Sequence, residues 1–202
     1  MNGWRESLPV WGPAWAAIAD PGDGAGDGAA TEPMLPAWPS DEAAELAATL
    51  EPGRRLGIVT DDPGAAAAFA ASHGLQPADA LTVLRAVTDD LDLLPELPAD
   101  AYLAEAPMEN YDAVEVALFD RPVAEGRMKL ADGLAVLAGL RVDDGHDELV
   151  GVLEQAMVAA MGEEAFVHGA DVLYLVAGAA QADRFAAVDG WTKVAELITF
   201  SK

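Results

Sequence analysis

The chain has 202 residues, of which 52% are hydrophobic, and its 11 basic and 35 acidic side chains give a formal net charge of −24. This composition predicts a mostly globular protein with one large domain or two small ones. It argues against binding to nucleic acids or anionic membrane surfaces, because both are held chiefly through Lys and Arg. The chain has no cysteine and only three scattered histidines, so we predict no metal site and no disulfide. Without a signal peptide pattern or an apolar run of about 18 residues, a cytoplasmic protein is expected.

Residues 1–39 are predicted to form a Trp-bearing arm followed by a linker. Trp4, Trp11 and Trp15 lie among Pro and Gly residues. Three large aromatic side chains so close together need burial, either against the core of this chain or against a partner. The stretch from Asp20 to Ser40 is rich in Gly, Pro, Asp and Ala, which is typical of a flexible linker.

Residues 40–100 are predicted to form a strand–helix–strand half of the protein. Ser40 is a suitable N-cap for a first helix, and Asp62 followed by Pro63 is a suitable start for a second. Gly74 predicts the left-handed end of that second helix. Apolar strands are predicted at Leu56–Thr60 and Leu81–Val87, and the acidic, Pro-containing segment 88–100 is predicted to be a connection.

Residues 101–202 are predicted to begin with antiparallel strands and to end with a second strand–helix–strand unit. The strands are Val114–Leu118, Val123–Leu130 after a turn at Arg121–Pro122, and Leu134–Leu140 after a hairpin turn at Asp132–Gly133. An acidic loop, Asp143–Glu148, leads into a helix from Leu149, which directs Leu153 and Met157 to the core and Glu154 away from it. Strand Asp171–Ala177, helix Gln181–Val188 and a last strand ending near Phe200 follow.

The two strand–helix–strand units share an internal pattern. Phe69 stands five residues before Gly74, and Phe185 stands five residues before Gly190. Each glycine is followed by an apolar residue, and a leucine follows seven residues after it. Either the units descend from a duplication or they share only what two such units need physically.

From Asp112 to Phe200 the chain resembles the GNAT superfamily of acyl-CoA-dependent N-acyltransferases. The segments that carry the resemblance read VEVALFDRPVAEGRMKLADGLAVLAGLRV, HGADVLYLVA and DGWTKVAELITF, in the order of that family. The resemblance implies an α/β (α+β) fold with a central mixed β-sheet flanked by helices, and residues 40–100 resemble a partial copy of it. It also implies acetyl-CoA as the cofactor. The cofactor-binding positions that it implies are Leu140, Arg141, Val142, Leu149, Val150, Gly151 and Val152.

The loop departs from the family pattern [QR]-x-x-G-x-[GA], whose amides cradle a pyrophosphate. One register places Asp147, Val150 and Val152 at the three defined positions, and the other places Glu148, Gly151 and Leu153 there. Four carboxylates, those of Asp143, Asp144, Asp147 and Glu148, crowd the loop. Their repulsion of a pyrophosphate should exceed what the helix start returns, which is typically about 0.3–1 kcal/mol per charge.

The usual catalytic groups of the family are also missing. The position of its general-acid tyrosine is occupied by Ala186, and the strand Leu134–Leu140 holds no acidic residue. The remaining candidates for proton transfer are Glu115, Glu125 and His146.

Two functions follow from these observations. One is a GNAT-type N-acetyltransferase with a diverged cofactor loop, acting on a small amine or basic substrate drawn by the negative charge. The alternative is a non-catalytic GNAT-fold binding or dimerisation module that has lost coenzyme A binding. A homodimer is a candidate assembly. Whether the protein is an enzyme stays open at this stage.

Overall fold

A computed structural model describes residues 3–19 and 35–202. The helices are α1 (Trp4–Ala16), α2 (Asp41–Thr49), α3 (Pro63–Ser72), α4 (Val150–Val167) and α5 (Ala179–Ala186), with short 3₁₀ turns at Thr88–Asp90 and Asp147–Leu149. The strands are β1 (Arg55–Thr60), β2 (Gln76–Val87), β3 (Ala101–Pro107), β4 (Asp112–Leu118), β5 (Arg121–Ala131), β6 (Leu134–Val142), β7 (Val172–Ala177) and β8 (Thr192–Ser201).

The eight strands form one mixed sheet in the order β1-β8-β2-β7-β6-β5-β4-β3. Every neighbouring pair is antiparallel except β6 and β7, which run parallel. The predicted α/β fold with a central mixed sheet is therefore confirmed, with β6 and β7 in its middle. A parallel pair needs a crossover connection, and α4 supplies it.

Helices cover both faces of the sheet. Side chains alternate between the two faces of a strand. On one face, Val59 and Val83 pack with α1. On the other face, Ile58 packs with the residues around α2 and α3, and Leu84 packs with α4. Among the described helices, only α1 thus lies on the face of Val59 and Val83. Among the described residues the other four helices lie on the opposite face, α2 and α3 next to β1, and α4 and α5 over the middle.

The tryptophans of the N-terminal segment are buried against this chain's own core. Trp4, Trp11 and Trp15 are 8%, 0% and 1% exposed, and Trp11 stacks on Tyr174 of β7 with ring centroids 5.3 Å apart. Residues 4–16 form a helix, which the Pro- and Gly-containing sequence did not predict. Most of the predicted linker, residues 20–34, lies outside the described residues.

The local signals for helix starts and turns are confirmed. The Ala43 amide donates to Ser40 Oγ at 3.1 Å, and the Ala65 amide donates to Asp62 Oδ1 at 3.0 Å. Asp132 and Gly133 both have positive φ, 39° and 78°, as a tight hairpin turn requires.

Two local predictions were wrong or incomplete. The turn before β5 is formed by Phe119 and Asp120, with φ of 50° and 59°, and Arg121 and Pro122 already lie in the strand. Strand β3, at the sheet edge, was not predicted, because its Ala, Glu and Pro residues are mostly exposed and lack a clear apolar alternation.

The segments 40–100 and 101–202 contribute to the same sheet. Strand β2 lies between β7 and β8, and β8 lies between β1 and β2, so the two strand–helix–strand units interlock. Helices α3 and α5 begin at Pro63 and Ala179, and the strands that follow them, β2 and β8, begin at Gln76 and Thr192. The number of residues between the two helix starts equals the number between the two strand starts. Leu81 pairs with Leu197 in the centre of the β2–β8 pair, which gives the two units an approximate two-fold relation. The division of the chain at these boundaries stays a prediction about its organisation.

Candidate functional site

The parallel strands β6 and β7 separate from each other toward their carboxyl ends. They pair from Leu134 with Val172 to Leu137 with Leu175, and the described pairing stops there although β6 continues to Val142. Gly139, with a φ of 63°, lies where the β5–β6 register shifts. A bulge of this kind bends a strand away from its neighbour. The result is a cleft between the two strands, with the first turns of α4 and α5 next to it.

Helix α4 begins at this cleft without a capping side chain. Leu149 occupies its N-cap position and makes no side-chain cap hydrogen bond. The amides of Val150, Gly151 and Val152 therefore belong to an uncapped first turn, where the helix dipole favours an anion. The predicted cofactor-binding residues on the strand, Leu140, Arg141 and Val142, lie at the end of β6 and reach α4 through the acidic loop.

A polar side-chain network crosses the cleft. Gln181 of α5 donates its amide Nε2 to the carbonyl oxygen of Leu140 at 3.2 Å and to Glu154 Oε1 at 2.7 Å. Arg184 donates from Nε to Glu154 Oε2 at 2.8 Å and from Nη2 to Oε1 at 2.7 Å. The side chain of Gln181 therefore binds the carbonyl oxygen of Leu140, which the separation of β6 from β7 leaves without a partner on β7.

The prediction that Glu154 points away from the core was wrong. Its residue is only 3% exposed, because α5 packs against the side of α4 that the helical pattern assigned to solvent. The hydrogen bonds that Arg184 donates to Glu154 raise the pKa of Arg184, while partial burial of the guanidinium acts in the opposite direction. A buried carboxylate with three close donors is satisfied in place, so the network is an ordered part of the cleft.

Arg184 also lies close to the first turn of α4. Its Cδ lies 4.0 Å from the position that a Cβ on Gly151 would occupy. The sequence reasoning missed Gln181, Arg184 and Glu154 as a group. A signal was present, because Arg184 is the only Lys or Arg between Arg141 and Lys193 and stands three residues after Gln181 on one helix.

The four carboxylates of the loop stay at the surface. Asp143, Asp144, Asp147 and Glu148 are all exposed, and among the described residues none has an ion-pair partner. Within the described part of the chain, no ion pair therefore offsets their charge next to the start of α4.

The three candidates for proton transfer do not meet in one place. Glu115 and Glu125 are paired neighbours on β4 and β5, and Glu125 forms an ion pair with Arg141 of β6. A Cβ on Gly126 would touch Met161 of α4, so the adjacent Glu125 points to the other face of the sheet.

His146 lies in the acidic loop, and among the described residues its side chain makes no cap hydrogen bond and no ion pair with either glutamate. Their catalytic roles stay predictions.

A groove on the outer side of α4 and α5 carries a concentration of acidic groups. The acidic groove has a volume of about 460 Å³ and is bounded by the segment Asp90–Leu94, Glu96, α4 and α5. Its carboxylates are Asp90, Asp92, Glu96 and Asp189, and its apolar surface includes Val152. No Lys, Arg or His lines it among the described residues.

The residues at the cleft do not fit coenzyme A as the resemblance implied it. The loop lacks the glycine pattern, its exposed charges are negative, and Gln181 binds the carbonyl oxygen of Leu140 that the open strand would otherwise present to a ligand.

Within the described part of the chain no three His, Asp or Glu side chains are placed to hold a metal ion. No helix there is long and apolar enough to cross a bilayer.

Comparison with known proteins identifies the fold. No family model and no curated protein matches the sequence. Among solved structures, a GCN5-related N-acetyltransferase from Kribbella flavida matches with a TM-score of 0.59 and 22% identity, covering 85% of this chain and 79% of that one. A tandem GNAT protein from the clavulanic acid biosynthesis pathway matches with a TM-score of 0.54 and 15% identity, covering 73% and 63%. A GCN5-related N-acetyltransferase from Sphaerobacter thermophilus matches with a TM-score of 0.54 and 12% identity, covering 73% and 60%. The chain therefore has the GNAT fold, as the sequence resemblance predicted.

Proposed function

We propose that this GNAT-fold chain is a non-catalytic binding module that has lost coenzyme A binding and takes a small organic amine. The observation that carries the first part is the hydrogen bond from Gln181 to the Leu140 carbonyl oxygen in the cleft. A ligand that used this carbonyl would displace Gln181 and remove one donor from the buried Glu154. Leaving a buried polar group without its partner costs about 1–3 kcal/mol.

The charge of the loop adds to this cost. Two like charges about 8 Å apart repel by roughly 0.5 kcal/mol at a water-like dielectric and by about 2 kcal/mol at an intermediate one. The four exposed carboxylates of the loop act together on an incoming pyrophosphate. Their combined repulsion exceeds the gain from one uncapped helix start, which is about 0.3–1 kcal/mol per charge.

The acidic groove supports an amine as the ligand. Asp90, Glu96 and Asp189 have no hydrogen-bond or ion-pair partner among the described residues, and apolar side chains lie between them. A groove of about 460 Å³ lies within the range of small-molecule sites. An ammonium group attached to an apolar body matches both properties, and the net charge of −24 raises its local concentration.

The acyltransferase reading is the second candidate, and two observations favour it. The parting of β6 and β7 at Gly139 leaves backbone groups that could position an acyl thioester. Arg184 lies next to the first turn of α4, where it could meet an anion if it left Glu154. In this candidate Glu115, Glu125 and His146 remain the groups for proton transfer, and the cofactor would be acetyl-CoA.

Calorimetric titration with acetyl-CoA separates the two candidates. The binding-module proposal predicts little or no heat with the unmodified protein. The double variant Asp147→Arg, Val150→Gly changes the local charge by two units and admits a close backbone approach, and we expect about one to three decades of gained affinity. Micromolar binding of acetyl-CoA by the unmodified protein would favour the acyltransferase instead.

Titration with tryptamine tests the amine site. The variant Glu96→Gln, Asp189→Asn removes two charges from the acidic groove. Its matched control, Asp143→Asn, Asp144→Asn, removes two charges from the loop. We expect tryptamine binding to weaken about tenfold or more in the groove variant only. Equal weakening in both variants would mean that the general field and not the groove holds the amine.

A further inference from the structure

A second cavity lies at the other end of the sheet from the cleft and on its other face. This α1 pocket has a volume of about 430 Å³. It is bounded by Glu6 and Ser7 of α1, by Arg85 of β2, by Tyr174 of β7, and by Asp132 and Asp171, which lie outside the strands. It adjoins Leu134 and Val172, the first residues of β6 and β7, whereas the cleft opens at the last residues of these strands. It is therefore separate from both the cleft and the acidic groove.

Arg85 is the unusual residue of the α1 pocket. Its Nε is buried and has no hydrogen-bond partner, and no ion pair of its guanidinium is found among the described residues. A buried donor without an acceptor is unfavourable, and arginine at such a position is well suited to a carboxylate. The missing partner is notable in a chain with 35 acidic residues, three of which line the same pocket.

The polar wall next to Arg85 is held in place by packing. Tyr174 is the direct pairing neighbour of Arg85 on the adjacent strand. Its hydroxyl lies 2.6 Å from Ser7 Oγ, and its ring stacks on Trp11 at an interplanar angle of 19°. Ser7 is in turn within 3.3 Å of the carbonyl oxygens of Gly3 and Trp4. The hydroxyl pair therefore forms a fixed edge of the pocket.

Opposite charges thus face one cavity without pairing across it. Glu6, Asp132 and Asp171 line the pocket together with Arg85, yet none of them forms an ion pair with it. We propose that the α1 pocket binds a small zwitterion that carries a carboxylate and an ammonium group, the chemistry of a free amino acid. Arg85 receives the carboxylate in a two-pronged contact, and the acidic side chains receive the ammonium. Val10 and Leu134 contact the apolar part of the ligand.

Calorimetric titration of the unmodified protein with glycine, L-leucine and L-phenylalanine tests this proposal. At least one of the three binds, and the strongest ligand is then compared with its two half-analogues. For L-leucine these are 4-methylpentanoate, which lacks the ammonium, and 3-methylbutylamine, which lacks the carboxylate. Each half-analogue binds about tenfold more weakly or worse, because one charge-assisted contact is lost. Equal binding of the amine alone overturns the proposal, as does the failure of all three amino acids at millimolar concentration.

A pair of variants assigns the binding to the pocket. Arg85→Gln removes the cation from the α1 pocket, and Arg54→Gln removes an exposed cation far from it. Amino acid binding falls about tenfold or more in the first variant and is unchanged in the second. Circular dichroism verifies that both variants are folded. Retained binding in a folded Arg85→Gln protein overturns the proposal, and the half-analogue series on the unmodified protein tests it independently of any variant.

Discussion

The two interlocked strand–helix–strand units have the same backbone plan and different chemistry. In the first unit α3 consists of Pro, Gly, Phe, Ser and six alanines, whereas α5 of the second unit carries Gln181 and Arg184. The positions in α3 that correspond to these two residues are Ala65 and Ala68. Only the second unit therefore sends polar side chains into the cleft, where they hold the buried Glu154.

The comparison teaches that the architecture and the site depend on different residues. In both units the helix carries a phenylalanine near its end, and the chain turns at a glycine of positive φ, 74° at Gly74 and 92° at Gly190. These shared residues set the turn and the packing of each helix on the sheet. The polar residues on the exposed side of the helix are free to differ, and they decide which unit contributes to a site.

Truncating the two equivalent phenylalanines, Phe69 and Phe185, should give the largest difference in the free energy of unfolding. Phe185 is 2% exposed and contacts Trp191 with ring centroids 5.6 Å apart, whereas Phe69 is only half-buried. We expect Phe185→Ala to lower the free energy of unfolding by about 3–5 kcal/mol, and Phe69→Ala by less than half of that. Urea unfolding followed by circular dichroism measures both. Equal losses would contradict the difference in burial between the two units.

Exchanging Arg184 of α5 and its equivalent in α3, Ala68, should have an intermediate effect on the free energy of unfolding. Arg184→Ala leaves the carboxylate of Glu154 buried without its cation. We expect a loss of about 1–3 kcal/mol, below that of a fully buried pair because the Arg184 side chain is 38% exposed. The matched change Ala68→Arg, at the exposed equivalent position in α3, should alter stability by no more than about 0.5 kcal/mol. A destabilisation of similar size in both variants would indicate that the Glu154 network does not stabilise the fold.

The smallest effect is a pH dependence confined to the first unit. After β1, Asp61 accepts a hydrogen bond from Arg5 of α1 at 2.7 Å, and this bond lowers the pKa of Asp61 below its ordinary value. The position corresponding to Asp61 in the second unit is Ala177, which has no such pair. A lowered pKa in the folded state contributes stability above the unfolded pKa of about 3.9, and this contribution is lost as the pH falls through the folded pKa.

Urea unfolding of the variant Arg5→Gln measures this contribution. Because the Asp61 side chain is 53% exposed, we expect a loss of only about 0.2–1 kcal/mol at pH 6. The loss should shrink as the pH falls below the unfolded pKa and through the lowered folded pKa of Asp61, because protonation removes the charge that Arg5 binds. Arg54→Gln, which removes an exposed arginine without an ion pair, is the control and should show no such change. An unchanged difference between pH 6 and pH 2 would exclude Asp61 as its origin.

Except for α1 and β3, the sequence by itself determined the local elements and their order. Ser40, Asp62, Gly74 and Asp132–Gly133 have their structural roles because caps and tight turns depend on side chains and φ angles within a few residues. Strand β6 was predicted for a similar reason, since apolar periodicity is local, whereas the GNAT fold was predicted from the resemblance of the sequence to that family.

The tertiary structure alone decided which distant residues meet. It inserted β2 between β7 and β8, and it placed α5 against the side of α4 that carries Glu154, which helical periodicity had assigned to solvent. It also brought Ser7 of α1 to Tyr174 of β7, and it left the buried Nε of Arg85 without a hydrogen-bond partner among the described residues. Periodicity along one segment tells which face of that segment is apolar and not which other segment will cover the remaining face. The cleft network and the α1 pocket arise from such contacts between segments, so the apolar periodicity of a single segment did not predict them.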